Sequence, residues 1–343
     1  MRLCRGAVLA MILWGTGLPG FARGGQEVNI YSHRHYAVDR QLYKRFEETT
    51  GIRVNVVQAE ADELIQRLAA EGQRSPADIL MTVDAGRLGR AADMGLLKPI
   101  TSEILQQRVP AHLRDPAGRW YALTRRVRLL VYHPDRVSPE ELSTYEALAD
   151  PMWRGRILVR SSSNIYNQSL LASMIAVHGE AAALEWAAGL VANFARQPAG
   201  SDRDQMKAIM AGAGAGDVAI VNSYYVGLLA ASDDPEERRV AQTIRVFFPN
   251  QSDRGAHVNV SGAGVTASSR NTQNALRLLE FLVSREAQLV FAAANYEYAL
   301  DPQVAPPRPL AGWPDFLEHQ IDLSQYTAYN TAAVRIFDQV GWR

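Results

Sequence analysis

Four tyrosines, Tyr36, Tyr166, Tyr224 and Tyr225, stand where β-branched runs give way to amphipathic stretches. The last two are adjacent, in "VNSYYVG". Neighbouring side chains point to opposite faces of a strand and splay apart by about a hundred degrees on a helix, so only a turn aims both rings at one point. A phenol titrates at about 10 and ionises at neutral pH only when something stabilises its anion. A bound cation does so, and a helix N-terminus adds a smaller push in the same direction. Several phenolates, with no cysteine and no carboxylate cage, point to ferric iron rather than zinc, copper or calcium. His35 could add a nitrogen donor. Four phenolates around Fe(III) leave a net negative charge, which a nearby arginine would balance.

Taken singly, each residue has a plainer reading. Tyrosines near helix starts are often half-buried packing groups with a solvated hydroxyl, and a lone His35 is more often a surface or capping residue than a ligand. Convergence is what favours a metal. It requires that three strand ends meet.

The surrounding pattern supplies such strand ends. After "EVNIY" comes "SHRHYAVD", where Asp39 could cap a helix over "DRQLYKRFEETTG"; Leu42, Tyr43 and Phe46 share a face there and Gly51 closes it. "IRVNVVQ", "ADELIQRLAAEG", "ADILMTV" and "DAGRLGRAADMG" continue a β-α-β-α series, which reads as a mostly parallel sheet flanked by helices. The same grammar returns in "RILVR" before "SSSNIYNQS", in "DVAIV" before "NSYYVG", and in "HVNVSGAGVTA". "RWYALTRRVRLLVYHP" is long enough to pass from one half to the other, and "TIRVFFPNQSDRGAHVNVSG" could pass back. Two crossings predict two discontinuous α/β lobes: 27–125 with 255–300, and 126–254 with 301–343. Such lobes close on a ligand by hinge motion, and open α/β sheets bind ligands beyond the carboxyl ends of their strands.

The chain opens with Arg2 and Arg5, an apolar run from Ala7 to Trp14 and small residues near Gly20 and Ala22, which reads as a secretory signal over 1–22. The run is shorter than the ~20 residues a spanning helix needs, and the arginines are not paired as a twin-arginine signal would require. The single cysteine, Cys4, lies inside it, so the exported protein has neither thiol nor disulfide and depends on its core. Basic and acidic residues balance at 36 each. Nothing in that balance calls for nucleic acid or an anionic membrane. His133, His178 and His257 are spread along the chain without ligand spacing and read as structural.

"YSHRHY", "RSSSNIYNQSL" and "NSYYVG" together resemble the corresponding segments of periplasmic ferric iron-binding proteins, the solute receptors of ABC iron importers. "PADILMTVDAGRL", "HVNVSGAGV" and "NYEYALDP" extend the likeness over nearly the whole mature chain. The resemblance implies a two-lobed type II periplasmic binding protein fold with two interdomain crossover strands, residence in the periplasm, an ABC permease as partner and a monomeric receptor. It implies that Tyr36, Tyr166, Tyr224 and Tyr225 bind iron, with His35 a fifth ligand or near neighbour. His33 stands where serine is often found in that motif, which leaves open which histidine faces the metal; adjacency to Tyr36 favours His35. Members with fewer protein ligands complete the iron with carbonate or phosphate, whereas Tyr166 places this chain with the tyrosine-rich members and makes an anion optional. The R-x-R pattern maps Arg126 onto an arginine that looks towards the iron and can hold that anion, against an ordinary interdomain salt bridge. Asn222 could bind an anion or, as the preferred reading, cap a helix. Fe(III) is the expected cargo, although oxygen donors also accept ferrous iron more weakly.

Three other readings compete. The same fold serves thiamine, polyamines and oxyanions, but a polyamine site calls for acidic groups and stacked aromatics, and these strand ends hold hardly any carboxylate. A secreted hydrolase or lyase using tyrosine and histidine would be an enzyme; the chain has no G-x-S-x-G elbow and no H-E-x-x-H pair. An iron sensor would keep the site and change only the partner.

Overall fold

The computed structural model describes residues 26–343, so the expected signal segment and Cys4 lie outside the described residues. Among the described residues eight strands are connected: β1 (Glu27–Ser32), β2 (Arg53–Gln58), β3 (Ile79–Val83), β4 (Tyr121–Tyr132), β5 (Ile157–Leu158), β6 (Val218–Asn222), β7 (Arg245–Phe247) and β8 (Val258–Val265). Their order is β2-β1-β3-β8-β4-β6-β5, with β7 also paired to β4. β1 pairs in parallel with β2 and β3, β8 runs antiparallel to β3, and β5 is parallel to β6.

The sheet divides within β4. Its residues Tyr121 to Val127 pair with β8, and from Arg128 onward the partners are β6 and β7. One strand therefore belongs to both lobes. The return is different in kind, because β7 lies in one sheet and β8 in the other. Between them the chain turns through Asn250, which has φ 60°. The Asn250 side chain holds that turn by accepting from the Tyr145 N–H at 3.1 Å and donating to Glu146 at 3.0 Å.

Local signals act as their chemistry predicts. The helix Ala37–Thr50 buries Leu42, Tyr43 and Phe46 and ends at Gly51, whose φ of 69° lets its N–H reach the Glu47 carbonyl. Asn164 caps the helix Ile165–Ala192, and Asp234 caps Pro235–Thr243 within "DDPEERR". One core packs around Ile30, Leu80, Val260 and Leu278; a second gathers Leu130, Trp153, Leu171, Phe337 and Trp342.

The C-terminal stretch adds a crossing that the sequence reading did not contain. Tyr298 exchanges backbone hydrogen bonds with Arg125 at 2.9 and 3.0 Å. The helix Ser324–Ala328 then lies against the helix Ala85–Asp93, while Asn330–Val340 packs on Ile165–Ala192. At the first contact Gly89 is required: a Cβ there would sit 2.0 Å from Thr327 Oγ1. Tyr326 is fully buried at this crossing, and its hydroxyl donates to the Val258 carbonyl at 2.9 Å.

Candidate metal site

Each of the three tyrosine-bearing motifs sits where a helix begins beyond a strand or extended segment, the geometry that lets a short loop aim side chains into an interlobe cleft. Tyr36 is the N-cap residue of Ala37–Thr50, in extended conformation. Tyr166 is the second residue of Ile165–Ala192, with its N–H donating to Asn164 Oδ1 at 3.1 Å. Tyr224 and Tyr225 fill the first turn of Ser223–Ala230, which starts directly at the end of β6. Ser223 anchors that turn to the crossing strand by accepting the Val127 N–H at 3.2 Å.

The four phenols line one cavity of about 390 Å³ between the lobes. The hydroxyls of Tyr166 and Tyr224 are 3.4 Å apart, and the rings of Tyr224 and Tyr225 are 4.1 Å apart at 31°. From the opposite lobe Tyr36 lines the same cavity. The adjacent tyrosine pair thus addresses one point across the first helical turn. A wider cleft of about 640 Å³ opens beside Arg125, Tyr298, Trp313 and Phe316, and it contains none of the four. Among the described residues no group of three or more His, Cys, Asp or Glu is placed to hold a cation. The donors gathered here are phenols.

Burial, with Glu297 and Tyr166 adding to it, pushes the Tyr36 phenol well above its ordinary value. Burial and then the neighbouring Tyr166 raise Tyr225 as well, and burial with Tyr166 and Tyr36 raises Tyr224. These are neutral phenols in a crowded, largely buried site, and they ionise only when a positive charge is placed among them. Some of that charge is built in. Tyr166 is surrounded by three guanidinium groups, with Arg126, Arg160 and Arg128 at 5.0, 5.7 and 6.0 Å from its ring centroid. Asp202 ties two of them in place, accepting from Arg128 at 2.6 Å and Arg160 at 3.3 Å.

Arg126 is the exception. It is 1% exposed, none of its three side-chain nitrogens has a hydrogen-bond partner, and its nearest carboxylate, Asp84, is 3.7 Å away. Burial opposes its charge, but Tyr166, Asp84, Tyr224 and Glu297 around it hold the guanidinium above its ordinary value. Asn222 carries a second orphaned donor: its Nδ2 is buried without a partner, and its side chain makes no capping bond. The preferred capping reading of Asn222 is therefore not what the structure shows. Buried donors without acceptors are costly. Here Arg126 lies beneath the Tyr166 ring, and Asn222 directly precedes the helix that carries Tyr224 and Tyr225.

Both histidines of the first motif line the cavity. The His35 ring is exposed, 5.2 Å from the Tyr36 ring, with Nδ1 3.3 Å from the His33 carbonyl. His33 is more enclosed, 3.7 Å from Glu60, and burial followed by the charge of Arg87 holds its imidazole below the usual range. Asp39 also departs from its expected cap, since it accepts from Arg34 instead. The sequence reading missed Arg34, Asp84, Arg128, Arg160 and Glu297 as parts of the site. Their signal was available: charged residues inside otherwise apolar or small-residue motifs, "SHRHY", "TVDAG" and "NYEYAL" among them.

Residues 74–315 match the family model described as a bacterial extracellular solute-binding protein. The chain is 46% identical over 318 residues to iron uptake protein A1 of Synechocystis sp., covering 93% of this chain and 88% of that one. Among solved structures it is similar to the Trichodesmium protein IdiA (FutA) in complex with iron and citrate, with a TM-score of 0.89, 46% identity and coverage of 92% and 100%. A ferric binding protein from Campylobacter jejuni superimposes with a TM-score of 0.87 at 41% identity, covering 92% of this chain and 100% of that one. The expected two-lobed type II periplasmic binding fold is the fold of this chain.

Proposed function

The chain belongs to the bacterial extracellular solute-binding proteins, and from that premise we propose that it is a periplasmic receptor that captures Fe(III) between its lobes and hands it to an ABC importer. Tyr36, Tyr166, Tyr224 and Tyr225 are the ligands in this reading, and the observation that carries it is their convergence from both lobes on one cavity, with the unpartnered guanidinium of Arg126 beneath the Tyr166 ring. It is not an enzyme.

The chain's own residues define the capture. Tyr166, Tyr224 and Tyr225 are presented by one lobe and Tyr36 by the other, so closure completes the donor set and excludes water. Entry of the cation replaces the phenol protons, and Arg126, Arg128 and Arg160 offset the resulting negative charge. Arg126 is sealed beneath the Tyr166 ring. That position supports a charge-balancing role in preference to direct capture of carbonate. His33 and His35 guard the mouth of the cavity, and His35, beside Tyr36, is the better placed to complete the iron. The receptor works as a monomer that an ABC permease reads in its closed form.

The test is a visible titration of the metal-stripped mature protein with ferric citrate. A saturable phenolate-to-iron absorption band reaching one iron per chain, and lost in Tyr225→Phe, is the expected result. A chain that binds no iron and develops no band overturns the reading.

A further inference from the structure

Arg34 lies between the two histidines of the first motif, and the metal reading assigns it nothing. Its side chain is wholly buried, an unusual place for a guanidinium. Nε reaches both carboxylate oxygens of Asp39 at 3.2 Å, Nη2 reaches one of them at 3.0 Å, and Nη1 donates to Glu297 at 3.0 Å. The planar fork lies 5.0 Å from the centroid of the Tyr36 ring on one side and 5.2 Å from that of Phe291 on the other. The main chain is held too, since the Arg34 carbonyl accepts from Ser32 Oγ and Gln58 Nε2 at 3.0 Å each.

Glu297 connects this cluster to the crossing strands. Its other oxygen, Oε1, accepts from Ser261 Oγ of β8 at 3.0 Å, while Asn295 Nδ2 donates at 2.8 Å to Oε2, the oxygen that Arg34 reaches. The next residue, Tyr298, is paired to Arg125 of β4. The Tyr36 side chain makes no capping bond, and only its carbonyl is held locally, accepting the Asp39 N–H at 3.1 Å. Its ring meets the Arg34 guanidinium and, 5.2 Å away, the ring of His35.

We propose that Arg34 is a positioning residue for Tyr36: bound through Glu297 to Ser261 of β8, it holds the one phenol contributed by its lobe in register with the three contributed by the other. The role rests on the reading of Tyr36 as an iron ligand. It does not require Arg34 to touch the metal. A ligand carried on a loop has to be held to a fraction of an ångström, and outer-shell partners supply that constraint.

Arg34→Lys keeps the positive charge between Asp39 and Glu297 but removes the planar fork. Iron loss to excess EDTA would be followed by the visible band in wild type, Arg34→Lys, Tyr36→Phe and the double variant. The expected result is iron loss ~10–100-fold faster in Arg34→Lys, the range for an outer-shell partner, with a band displaced towards that of Tyr36→Phe. The double variant should release iron no faster than Tyr36→Phe alone, because the two changes act on one ligand. Wild-type release by Arg34→Lys, or effects that multiply in the double variant, would overturn the assignment while leaving the iron site intact. Absence of any band in the wild type would instead remove the iron reading and this role with it. Should Arg34→Lys not fold, Glu297→Gln, which keeps the shape of the partner, is read in the same way.

Discussion

Ser169 Oγ donates to the carboxylate of Asp84 at 2.6 Å, joining the helix Ile165–Ala192 of one lobe to the end of β3 in the other. Asp84 is held there at φ 81°, where a residue with a side chain is strained. The same carboxylate accepts from the Gly86 N–H at 3.0 Å and from Asn259 Nδ2 at 2.7 Å. It is also the nearest counter-charge to Arg126. A bond between lobes therefore ends on the group that faces the arginine beneath Tyr166.

Ser169→Ala removes a bond between the lobes and should therefore weaken the closed form. A hydrogen bond to a charged acceptor contributes about 1.5–3 kcal/mol, so iron release to a chelator should accelerate by ~10-fold or more. The thermal midpoint of the iron-free protein should change little. Stopped-flow release and calorimetry of the same sample check both halves.

Tyr224→Phe and Tyr225→Phe should each weaken ferric binding by more than the ~10–100-fold typical of an outer-shell loss. Folding should be spared, since the rings stay and only a hydroxyl leaves. Competition with citrate measures the affinity, and circular dichroism the fold. A double variant that binds iron like the wild type would sink the ligand assignment.

Iron capture should release protons. Burial holds the phenols of Tyr36, Tyr224 and Tyr225 above their ordinary value, so they are neutral before the metal arrives and ionised after. Affinity must then fall as pH falls, because protons compete for the same oxygens. Titration in weak buffer with an indicator dye should show several protons released per iron, and fewer in Tyr225→Phe.

A separate pH effect belongs to the crossing region. His257 is buried between Ser173 and Tyr326, with its Nδ1 3.2 Å from each hydroxyl. Burial first, then His319, Arg128, Arg126 and Arg254, hold its imidazole well below 6.5. Below about 6.5 the unfolded chain therefore binds a proton that the folded chain refuses, and stability falls with pH from there towards the depressed folded value. His319, lowered to about 4 by burial and by Arg254, acts over the same window. His257→Gln should flatten the decline of the thermal midpoint between pH 7 and pH 5, whatever its effect at pH 7. An unchanged slope would exclude His257 as a source.

What the sequence determined by itself are the features set by neighbours within a few residues. The change from period two to helical spacing marks where Tyr36, Tyr166 and the Tyr224–Tyr225 pair would stand, because those patterns reflect local geometry. Gly51 as a stop follows from the same short-range hydrogen bonding. The crossing by β4 was legible from its length, and the opposite facing of Arg125 from strand alternation, which sends it to Glu318 while Arg126 and Arg128 go to Tyr166.

The tertiary structure decided whatever depends on which groups are buried together. Asp39 was a plausible cap until the fold set a buried arginine against it, and a charge sealed from water takes the strongest partner available. Asn222 likewise stands at a helix start without capping it. Arg34 meets Glu297 across 263 positions and Ser169 meets Asp84 across 85, distances over which no propensity or period carries information. The third passage of the chain, through Tyr326 and Thr327, was invisible for the same reason. Order of strands and burial of charge are properties of the assembled sheet, so the four tyrosines could be singled out from the sequence, and the network around them existed only once the lobes had assembled.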